Sequence, residues 1–280
     1  MNAVDQEARI ARLKSISVEL RKNTLTLIHK AGDGHPGPAL SIADLVTALY
    51  FDEMRVDPKN PKWEDRDRFL LSKGHACTVL YAALAKLGFF SEDLLPSFRS
   101  LGSILQGHPV MDKIPGVDMT TGTLGHGLSV GAGMAAAARL GKKDYRVYVI
   151  IGDGEANEGI VWEGAQVAGN MRLANLTAFV DLNNFQSGGS TDAVSGVNRI
   201  PFAEKFRAFG WNTLDIDGHN YKQILNAIAA AKNETGAPTL IVAHTIKGKG
   251  VPFMENNNAW HKGVPNAEQL AEAIKALEAA

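Results

Sequence analysis

The sequence has almost no cysteine and almost no net charge, and each scarcity excludes a class of protein. Its single cysteine, Cys77, cannot form an internal disulfide, which indicates a reducing compartment. We interpret Cys77 as a small core residue of a helix and not as a nucleophile. The formal charge of −1, with no basic run, gives no reason to expect nucleic acid or an anionic membrane surface as a partner.

Long apolar runs are missing as well. No stretch approaches the roughly 20 apolar residues that span a bilayer, and the N-terminal segment has the pattern of an amphipathic helix without the apolar centre of a signal peptide. We therefore expect a cytoplasmic protein with no membrane contact. The sequence also lacks internal repeats, low-complexity segments and linkers, so residues 1–280 are predicted to form one domain.

What the sequence does contain is an alternation of apolar strands and helices. Helical spacing predicts a long first helix over 5–30, and Ser41 is predicted to cap a helix that runs to Tyr50. Strands are predicted at 68–71, 146–151, 175–184, 211–215 and 238–246, and later helices at 157–170, 202–209, 220–232 and 266–280. Continuous apolar strands that alternate with helices predict an α/β fold with a mostly parallel sheet and helices on both faces.

Polar stretches follow several of these strands. SKGHA, GDGEANEG, NNFQSGG and KGKG each come after a strand or at its end. Ligands of open parallel sheets bind beyond the carboxyl ends of the strands. The sequence therefore predicts that these four stretches surround one crevice.

The stretch GDGEANEG has the glycines of a phosphate loop but the wrong charge for one. Asp153 lies between two glycines, Gly152 and Gly154, and the next strand ends in Asn183 and Asn184. An Asp, an Asn and a backbone carbonyl are oxygen ligands that suit Mg²⁺ or Ca²⁺, and such a cation can bridge a carboxylate to a diphosphate. Each motif alone is compatible with a simple strand-end turn, whereas both together favour a metal–diphosphate site. Neither a Rossmann nor a Walker A pattern is present.

The histidines are placed unusually. Five of the eight directly follow a glycine, on turns from which a side chain can point into a cleft. Four histidines are predicted to form a polar cluster for a hydroxylated substrate or for proton transfer, namely His35, His75, His108 and His261. A zinc site is disfavoured because no histidine pair has metal-ligand spacing and only one cysteine is present.

At this point the motifs resemble a known family. GDG at 152–154 followed by NN at 183–184 is similar to the thiamine diphosphate motif. The stretches GHPGPALS, LLSKGHA, GHPV, TGTLGHGLS and IKGKGVPFMENNNAWHKGVPN resemble, in this order, the N-terminal cofactor-binding domain of transketolases. The similarity extends from about residue 10 to residue 270.

The resemblance implies a role for individual residues. Asp153, Asn183 and the carbonyl of Phe185 would bind Mg²⁺, with Ca²⁺ or Mn²⁺ as substitutes. The cofactor, thiamine diphosphate, would lie against His75, Gly122, Thr123, Leu124, Gly154, Asn183, Lys247 and His261. His35, His108 and His261 would face the reacting centre together with His75, and Glu158 and Glu163 would lie at a subunit interface that couples paired sites.

The resemblance also implies a partner. In this family a glutamate that contacts the pyrimidine ring of the cofactor comes from a second domain, and this chain ends after one domain in a helix. We therefore expect the N-terminal subunit of a split transketolase, which transfers a two-carbon ketol group between sugar phosphates in carbohydrate metabolism such as the pentose phosphate route. The helices at 128–139 and 161–171 are rich in small residues and are expected to meet a second copy, which gives an α2β2 heterotetramer.

Some alternatives stay open. His126 stands where most transketolases carry Gln, and deoxyxylulose-phosphate synthases have His at a similar place. We interpret His126 as a cap of the following helix. The chain is alternatively the α subunit of a related thiamine enzyme, similar to those synthases or to 2-oxoacid dehydrogenases, or a non-catalytic cofactor-binding chain. Glu155 has no predicted role.

Overall fold

The computed structural model describes residues 3–279 and consists of helices packed on both faces of a parallel sheet. The helices are α1 Ala3–Ala31, α2 Pro36–Ser41, α3 Ala43–Ala48, α4 Cys77–Leu87, α5 His126–Leu140, α6 Gly159–Asn170, α7 Thr191–Val194, α8 Phe202–Ala208, α9 Tyr221–Asn233 and α10 Ala267–Ala279. The strands are β1 Arg68–Leu71, β2 Val147–Gly152, β3 Leu176–Leu182, β4 Phe185–Gln186, β5 Gly189–Ser190, β6 Asn212–Asp217 and β7 Thr239–His244.

Five strands form the central sheet in the order β1-β2-β3-β7-β6, and every neighbouring pair is parallel. The two short strands β4 and β5 form a separate antiparallel hairpin. The predicted α/β fold with a mostly parallel sheet is confirmed. All five long strands point the same way, so their carboxyl ends lie at one edge of the sheet.

Alternating side chains of each central strand enter two different cores. In β2, Tyr148 and Ile150 pack with α1, α3, α4 and α9, whereas Val147, Val149 and Ile151 pack with α5, α6 and α8. Both faces of the strand are apolar because both are covered by helices, which explains the unbroken apolar run in the sequence. Cys77 is buried in the first core, as predicted.

One predicted helix is interrupted. The helix expected from Ser41 to Tyr50 is divided, because α2 ends at Ser41, α3 begins at Ala43, and a π-helical turn covers Leu49–Glu53. The Ser41 hydroxyl donates to the carbonyl of Pro38 and to the Asp181 carboxylate instead of capping a helix. A buried carboxylate is a stronger acceptor than solvent, so a long-range partner displaces the local cap.

Two further features complete the fold. Helix α10 packs Ala273 and Leu277 against Leu25 and Leu40, which ties the end of the chain to its first helices. None of the helices within residues 3–279 combines the length and the apolar character needed to cross a membrane.

Candidate active site

A cavity of about 670 Å³ opens at the carboxyl edge of the sheet. Ligand cavities in proteins are typically about 300–1,000 Å³. Its wall includes most of the residues predicted from the sequence, namely His35, His75, His108, Gly122, Leu124, Asp153, Gly154, Glu158, Asn183, Phe185, Lys247 and His261. Thr123 lies in a neighbouring cavity of about 480 Å³, and Glu163 lies in a groove on another surface.

Strand register explains why the predicted acid and amide meet. Gly152 of β2 is paired with Asp181 of β3, so Asp153 and Asn183 both leave the sheet just beyond that rung. Asn184 then adopts a positive φ of 64°, which turns the chain into the β4–β5 hairpin. Asparagine tolerates this left-handed conformation better than most residues do.

Asp153 is a buried carboxylate that forms no salt bridge among the described residues. It is 1% exposed, its Oδ1 accepts the Gly154 N–H at 2.8 Å, and its Oδ2 accepts the Asn184 N–H at 2.7 Å. Burial and the nearby charge of Asp181 raise the pKa of Asp153 to about 6. No lysine or arginine within residues 3–279 forms a salt bridge to it. A buried carboxylate in this state is suited to ligate a divalent cation.

Asn183 and Phe185 can complete an oxygen ligand set. The Asn183 Nδ2 donates to Asp181 at 2.7 Å, which fixes the amide so that Oδ1 accepts the Phe185 N–H at 3.0 Å. An amide oxygen has a second lone pair that remains for a metal. Residues 3–279 contain no group of three or more His, Cys, Asp or Glu side chains able to hold a metal. A cation here therefore depends on mixed carboxylate, amide and carbonyl ligands, which fit Mg²⁺.

Asp181 joins four segments beneath this site, and the sequence patterns did not predict it. Its carboxylate accepts hydrogen bonds from Lys73, from Ser41 at 2.8 Å, from Asn183 at 2.7 Å and from Thr245. Burial alone would raise the pKa of Asp181, but the Lys73 ammonium and these donors hold it below its usual value. The available signal was an acid inside the apolar run TAFVDL, where a charge must be paired.

Lys247 connects the oxygen ligands to the histidines. This buried side chain donates from Nζ to Asn258 Oδ1 at 3.0 Å and contacts His261 Nδ1 at 2.9 Å. Burial and the charge of Lys73 lower the pKa of Lys247 to about 8. An ammonium group has no acceptor, so His261 must accept at Nδ1 and carry its own proton on Nε2.

Three histidine rings pack against one another in the cavity wall. The ring centroids of His35, His75 and His261 are 5.1 to 5.7 Å apart. Burial, with nearby positive charge, lowers the pKa of His35 to about 4 and that of His261 to about 3. Burial also lowers the pKa of His75 and His108. These rings are therefore neutral near pH 7, where an imidazole offers one donor and one acceptor.

One histidine atom lacks a partner. The Nδ1 of His35 is buried and forms no hydrogen bond among the residues that the structure describes. Buried polar atoms in proteins are almost always satisfied, so a ligand or water is expected beside this ring. The cavity thus combines carboxylate and amide oxygens, two lysines, and histidines of which His35 has an unpartnered ring nitrogen, a set that fits a diphosphate joined to a ring system.

Glu155, which has no role predicted from the sequence, has a clear structural position. Its Oε1 accepts from the Ser72 hydroxyl and from the Gly125 N–H at 2.7 Å, and its Oε2 accepts the Gly152 N–H at 2.9 Å. Glu155 therefore joins the ends of β1 and β2 to the start of α5. Burial raises the pKa of this carboxyl group.

The interpretation of His126 as a helix cap is wrong. His126 is the first residue of α5, and the capping position is taken by Gly125, which has a φ of 84° and no capping side chain. The His126 Nδ1 is 3.1 Å from the Leu124 carbonyl, to which it donates. His126 is thus one position too late in the sequence to bond the free N–H groups of the helix.

The fold and the cavity define an α/β protein with a ligand site at the carboxyl edge of a parallel sheet. The family model for the thiamine diphosphate binding domain of transketolase matches residues 14–278. The chain belongs to the transketolase family and represents its thiamine diphosphate-binding domain.

Two similar proteins are named as subunits of transketolases. The chain is 42% identical to a subunit of the apulose-4-phosphate transketolase of Phocaeicola vulgatus, over 95% of this chain and 94% of that protein. It is 45% identical to the 6-deoxy-6-sulfo-D-fructose transketolase subunit SqwG of a Clostridium species, over 92% of this chain and 94% of that protein. The prediction of an N-terminal transketolase subunit is confirmed by these relatives.

Single-chain transketolases match over only part of their length. The Mus musculus transketolase is 40% identical, and the match covers 96% of this chain but 42% of that protein. A crystal structure of transketolase from Campylobacter jejuni superposes with a TM-score of 0.90 at 33% identity, over 95% of this chain and 42% of that one. The chain therefore spans about two fifths of these single-chain relatives.

Proposed function

We propose that this chain binds Mg²⁺ and thiamine diphosphate in the 670 Å³ cavity and completes a transketolase active site together with a partner subunit. The observation that carries the proposal is the arrangement around Asp153. A buried carboxylate that forms no salt bridge within residues 3–279 lines the same cavity as Asn183, Phe185, Lys247 and the three packed histidines. The match to 94% of each of two proteins that are named as transketolase subunits supports a two-chain enzyme.

Different residues of this chain would bind the metal and the diphosphate. Asp153, Asn183 and the Phe185 carbonyl would hold Mg²⁺, with Ca²⁺ or Mn²⁺ as substitutes, and Gly154 lets the turn approach closely, since a Cβ there would lie 2.6 Å from Gln186 Cβ. Lys247 would add a positive charge near the diphosphate. When bound, thiamine diphosphate supplies the electron sink for cleaving and forming a bond next to a carbonyl.

The neutral histidines would orient the sugar. His75 and His261 would border the thiazolium ring together with Gly122 and Leu124 of the same cavity wall, and Thr123, which lines the neighbouring cavity, would hold its place in the loop between them. His35 and His108 would hydrogen-bond the hydroxyls of the donor, and His35 and His261 would relay protons between hydroxyls. A neutral His35 can do both because its imidazole has one donor and one acceptor nitrogen, whereas His261, whose Nδ1 accepts from Lys247, would act through Nε2 alone.

The partner would supply the other part of the active site. A C-terminal transketolase subunit would carry the glutamate that contacts the pyrimidine ring, and self-association of this chain would give a cytoplasmic α2β2 enzyme with Glu158 and Glu163 at the interface. The transferred two-carbon ketol group would pass from a ketose phosphate to an aldose phosphate. The similar subunits named for apulose-4-phosphate and for 6-deoxy-6-sulfo-D-fructose indicate a donor with an anionic end.

The test compares the chain, the partner and their mixture. We expect ketol transfer only from the mixture supplied with Mg²⁺ and thiamine diphosphate, and with hydroxylated ketose phosphates rather than pyruvate as donors. Full turnover by this chain alone would contradict the two-chain proposal, and decarboxylation of pyruvate would favour the deoxyxylulose-phosphate-synthase-like alternative.

The metal site has its own prediction. The Asp153→Ala variant should lose Mg²⁺-dependent binding of thiamine diphosphate, measured by calorimetric titration of the assembled protein. Asp192→Ala is the matched control, because Asp192 is an exposed acid on α7 outside the cavity wall. Unchanged titration of Asp153→Ala would refute the proposed ligand.

A further inference from the structure

A hydrogen-bonded series runs from the core to the cavity through His219, which does not line the cavity. Its inner end is Asp44, whose carboxylate accepts Arg21 Nη1 at 3.0 Å, Arg21 Nη2 at 2.6 Å and the Tyr221 hydroxyl at 3.1 Å. The fourth contact of Asp44 is His219 Nδ1 at 2.8 Å. Burial opposes ionisation of Asp44, but the buried Arg21 guanidinium holds its pKa well below the usual range. Asp44 is therefore a fixed acceptor.

The contacts of His219 determine its tautomer. Because ionised Asp44 can only accept, the proton of the neutral ring lies on Nδ1. The other nitrogen, Nε2, accepts the backbone N–H of Ile246 at 2.9 Å. Both ring nitrogens are thus used, and the ring is held at both ends. Asp217, the last residue of β6, is paired with His244, the last residue of β7. His219 and Ile246 each lie two positions beyond this pair, so the strand register brings them together.

The bond to Ile246 holds the backbone next to Lys247. On the other side of Lys247, the Gly248 N–H donates to the Gly37 carbonyl at 3.1 Å. The Lys247 side chain enters the cavity between these two anchored peptides and donates to His261 Nδ1 at 2.9 Å. That donation leaves Nε2 of His261 as the proton-bearing nitrogen of a cavity-lining ring.

We propose that His219 is a positioning residue of the active site. By accepting the Ile246 N–H it fixes the turn that carries Lys247, and Lys247 in turn fixes the tautomer of His261. The significance of His261 for sugar chemistry rests on the proposed function, whereas the hydrogen bonds and the tautomer belong to this chain alone and are measurable without cofactor or partner.

Two substitutions separate the two contacts of His219. In His219→Gln the amide oxygen reaches the place of Nε2 and can still accept the Ile246 N–H. In His219→Asn the shorter side chain keeps a donor for Asp44 but ends too early to reach Ile246. His244→Asn is the matched control, because His244 lies at the same sheet edge and contacts the exposed Asp215 at 3.1 Å, outside the cavity wall.

The first readout is made on the chain without cofactor. Amide hydrogen exchange of Ile246 should be as slow in His219→Gln and His244→Asn as in the unchanged chain, and at least about tenfold faster in His219→Asn. The ring ¹⁵N chemical shifts of His261 are assigned with a His261→Asn variant. They should show a proton on Nε2 in the unchanged chain, in His219→Gln and in His244→Asn, and a mixture of tautomers in His219→Asn. Unchanged exchange and unchanged shifts in His219→Asn would overturn the proposal.

The second readout uses the assembled two-chain enzyme. At saturating cofactor, kcat of His219→Asn should fall about tenfold or more, since small displacements at a reacting centre are costly, while KM for the ketose stays within about twofold. His219→Gln should restore kcat. If His219→Asn does not fold, His219→Gln decides alone, and a loss of kcat with a protected Ile246 amide overturns the positioning role.

Failure of the proposed function has a different signature. If the unsubstituted chain and its partner subunit together show no ketol transfer, that result counts against the proposed function. Amide hydrogen exchange at Ile246 and the ring ¹⁵N shifts of His261 would still decide the positioning role of His219.

Discussion

His35 and His261 have pKa values set by burial, of about 4 and about 3 respectively. An unperturbed histidine titrates near pH 6.5, so the unfolded chain binds protons before the folded chain does as the pH falls. The stability contributed by these neutral rings is present above about pH 6.5 and is lost as the pH decreases toward 4 for His35 and toward 3 for His261. At the scale of residues, the cavity is therefore predicted to be the acid-sensitive part of the fold.

The prediction is tested by thermal unfolding of the chain without cofactor between pH 7 and pH 4. The Tm of the unchanged chain should fall between pH 7 and pH 4. The decrease in Tm should be smaller for His35→Asn than for the unchanged chain, by about 2 °C or more. His244→Asn, at an exposed position, should follow the unchanged chain. Equal slopes for His35→Asn and the unchanged chain would show that the ring is not held neutral by burial.

Asp181 is a single residue whose importance comes from the elements it joins. Asp181→Ala would leave the Lys73 ammonium buried without a partner and would remove the acceptor of Ser41, Asn183 and Thr245. Loss of one member of a buried ion pair typically costs about 3–5 kcal/mol. We expect a decrease of that size in the free energy of unfolding, measured in urea.

A matched substitution on another strand controls for the change in composition. Asp215→Ala removes an exposed acid of β6 whose carboxylate has only His244 as a hydrogen-bond or salt-bridge partner among the described residues, and it should change stability by no more than about 0.5 kcal/mol. Similar losses for both variants would argue against a special role of the Asp181 carboxylate.

Helix α6 can approach the loop before β6 only because one of its residues is glycine. A Cβ added to Gly169 would lie 1.8 Å from the carbonyl oxygen of Phe209, which is backbone and cannot rotate away. Gly169→Ala should therefore destabilise the chain by about 1–3 kcal/mol or more in urea unfolding.

The control for Gly169 lies on the same helix. A Cβ at Gly159 meets no atom within 4 Å, so Gly159→Ala should be neutral or stabilising by up to about 1 kcal/mol. If both substitutions had the same effect, the close contact with the Phe209 carbonyl would not be the cause of the loss at Gly169.

At the scale of elements, the sequence pattern was sufficient to predict the strands of the sheet but not the residues that cap the helices. The apolar runs of β2, β3 and β7 are continuous because both faces are covered, and this periodicity is visible in one dimension. Ser41 and His126 were misassigned because each bonds a group outside its own helix start, Asp181 in one case and Leu124 in the other. Helix propensity does not include either partner: Ser41 is held by Asp181 on a distant strand, and His126 is held by a carbonyl just before the helix.

The same limit applies to the candidate site. Parallel topology was enough to bring Asp153, Asn183 and Lys247 to one edge, because residues that follow strand ends must meet there. Glu155, Asp181 and His219 were missed, since their functions depend on which backbone N–H or side chain lies opposite, and strand register fixes that only after folding. Buried polar residues inside apolar runs are the signal that remains in the sequence.

At the scale of the whole molecule, the face formed by α5 and α6 has the character of an interface. A groove of about 360 Å³ runs between the two helices, lined by Ser129, Ala132, Gly133, Ala136, Ile160, Glu163, Gly164, Val167 and Met171. Val167 is 50% exposed, and the small residues of α5 allow another surface to come close. Contiguous exposed apolar surface is typical of sites that contact another protein.

We expect this face to hold two copies of the chain together, as the proposed α2β2 enzyme requires. Val167→Asp would introduce a negative charge into a surface that must lose its water when two copies associate. The new carboxylate would also be repelled by Glu163 in the same groove, and both effects oppose association. Light scattering after size-exclusion chromatography should show a dimer for the unchanged chain and a monomer for Val167→Asp. Ile200→Asp is the control, because Ile200 is 57% exposed outside the groove and its substitution should leave the dimer intact. A Val167→Asp variant that remains dimeric would mean that another surface holds the copies together, and Glu163 would then lose its proposed place at the interface.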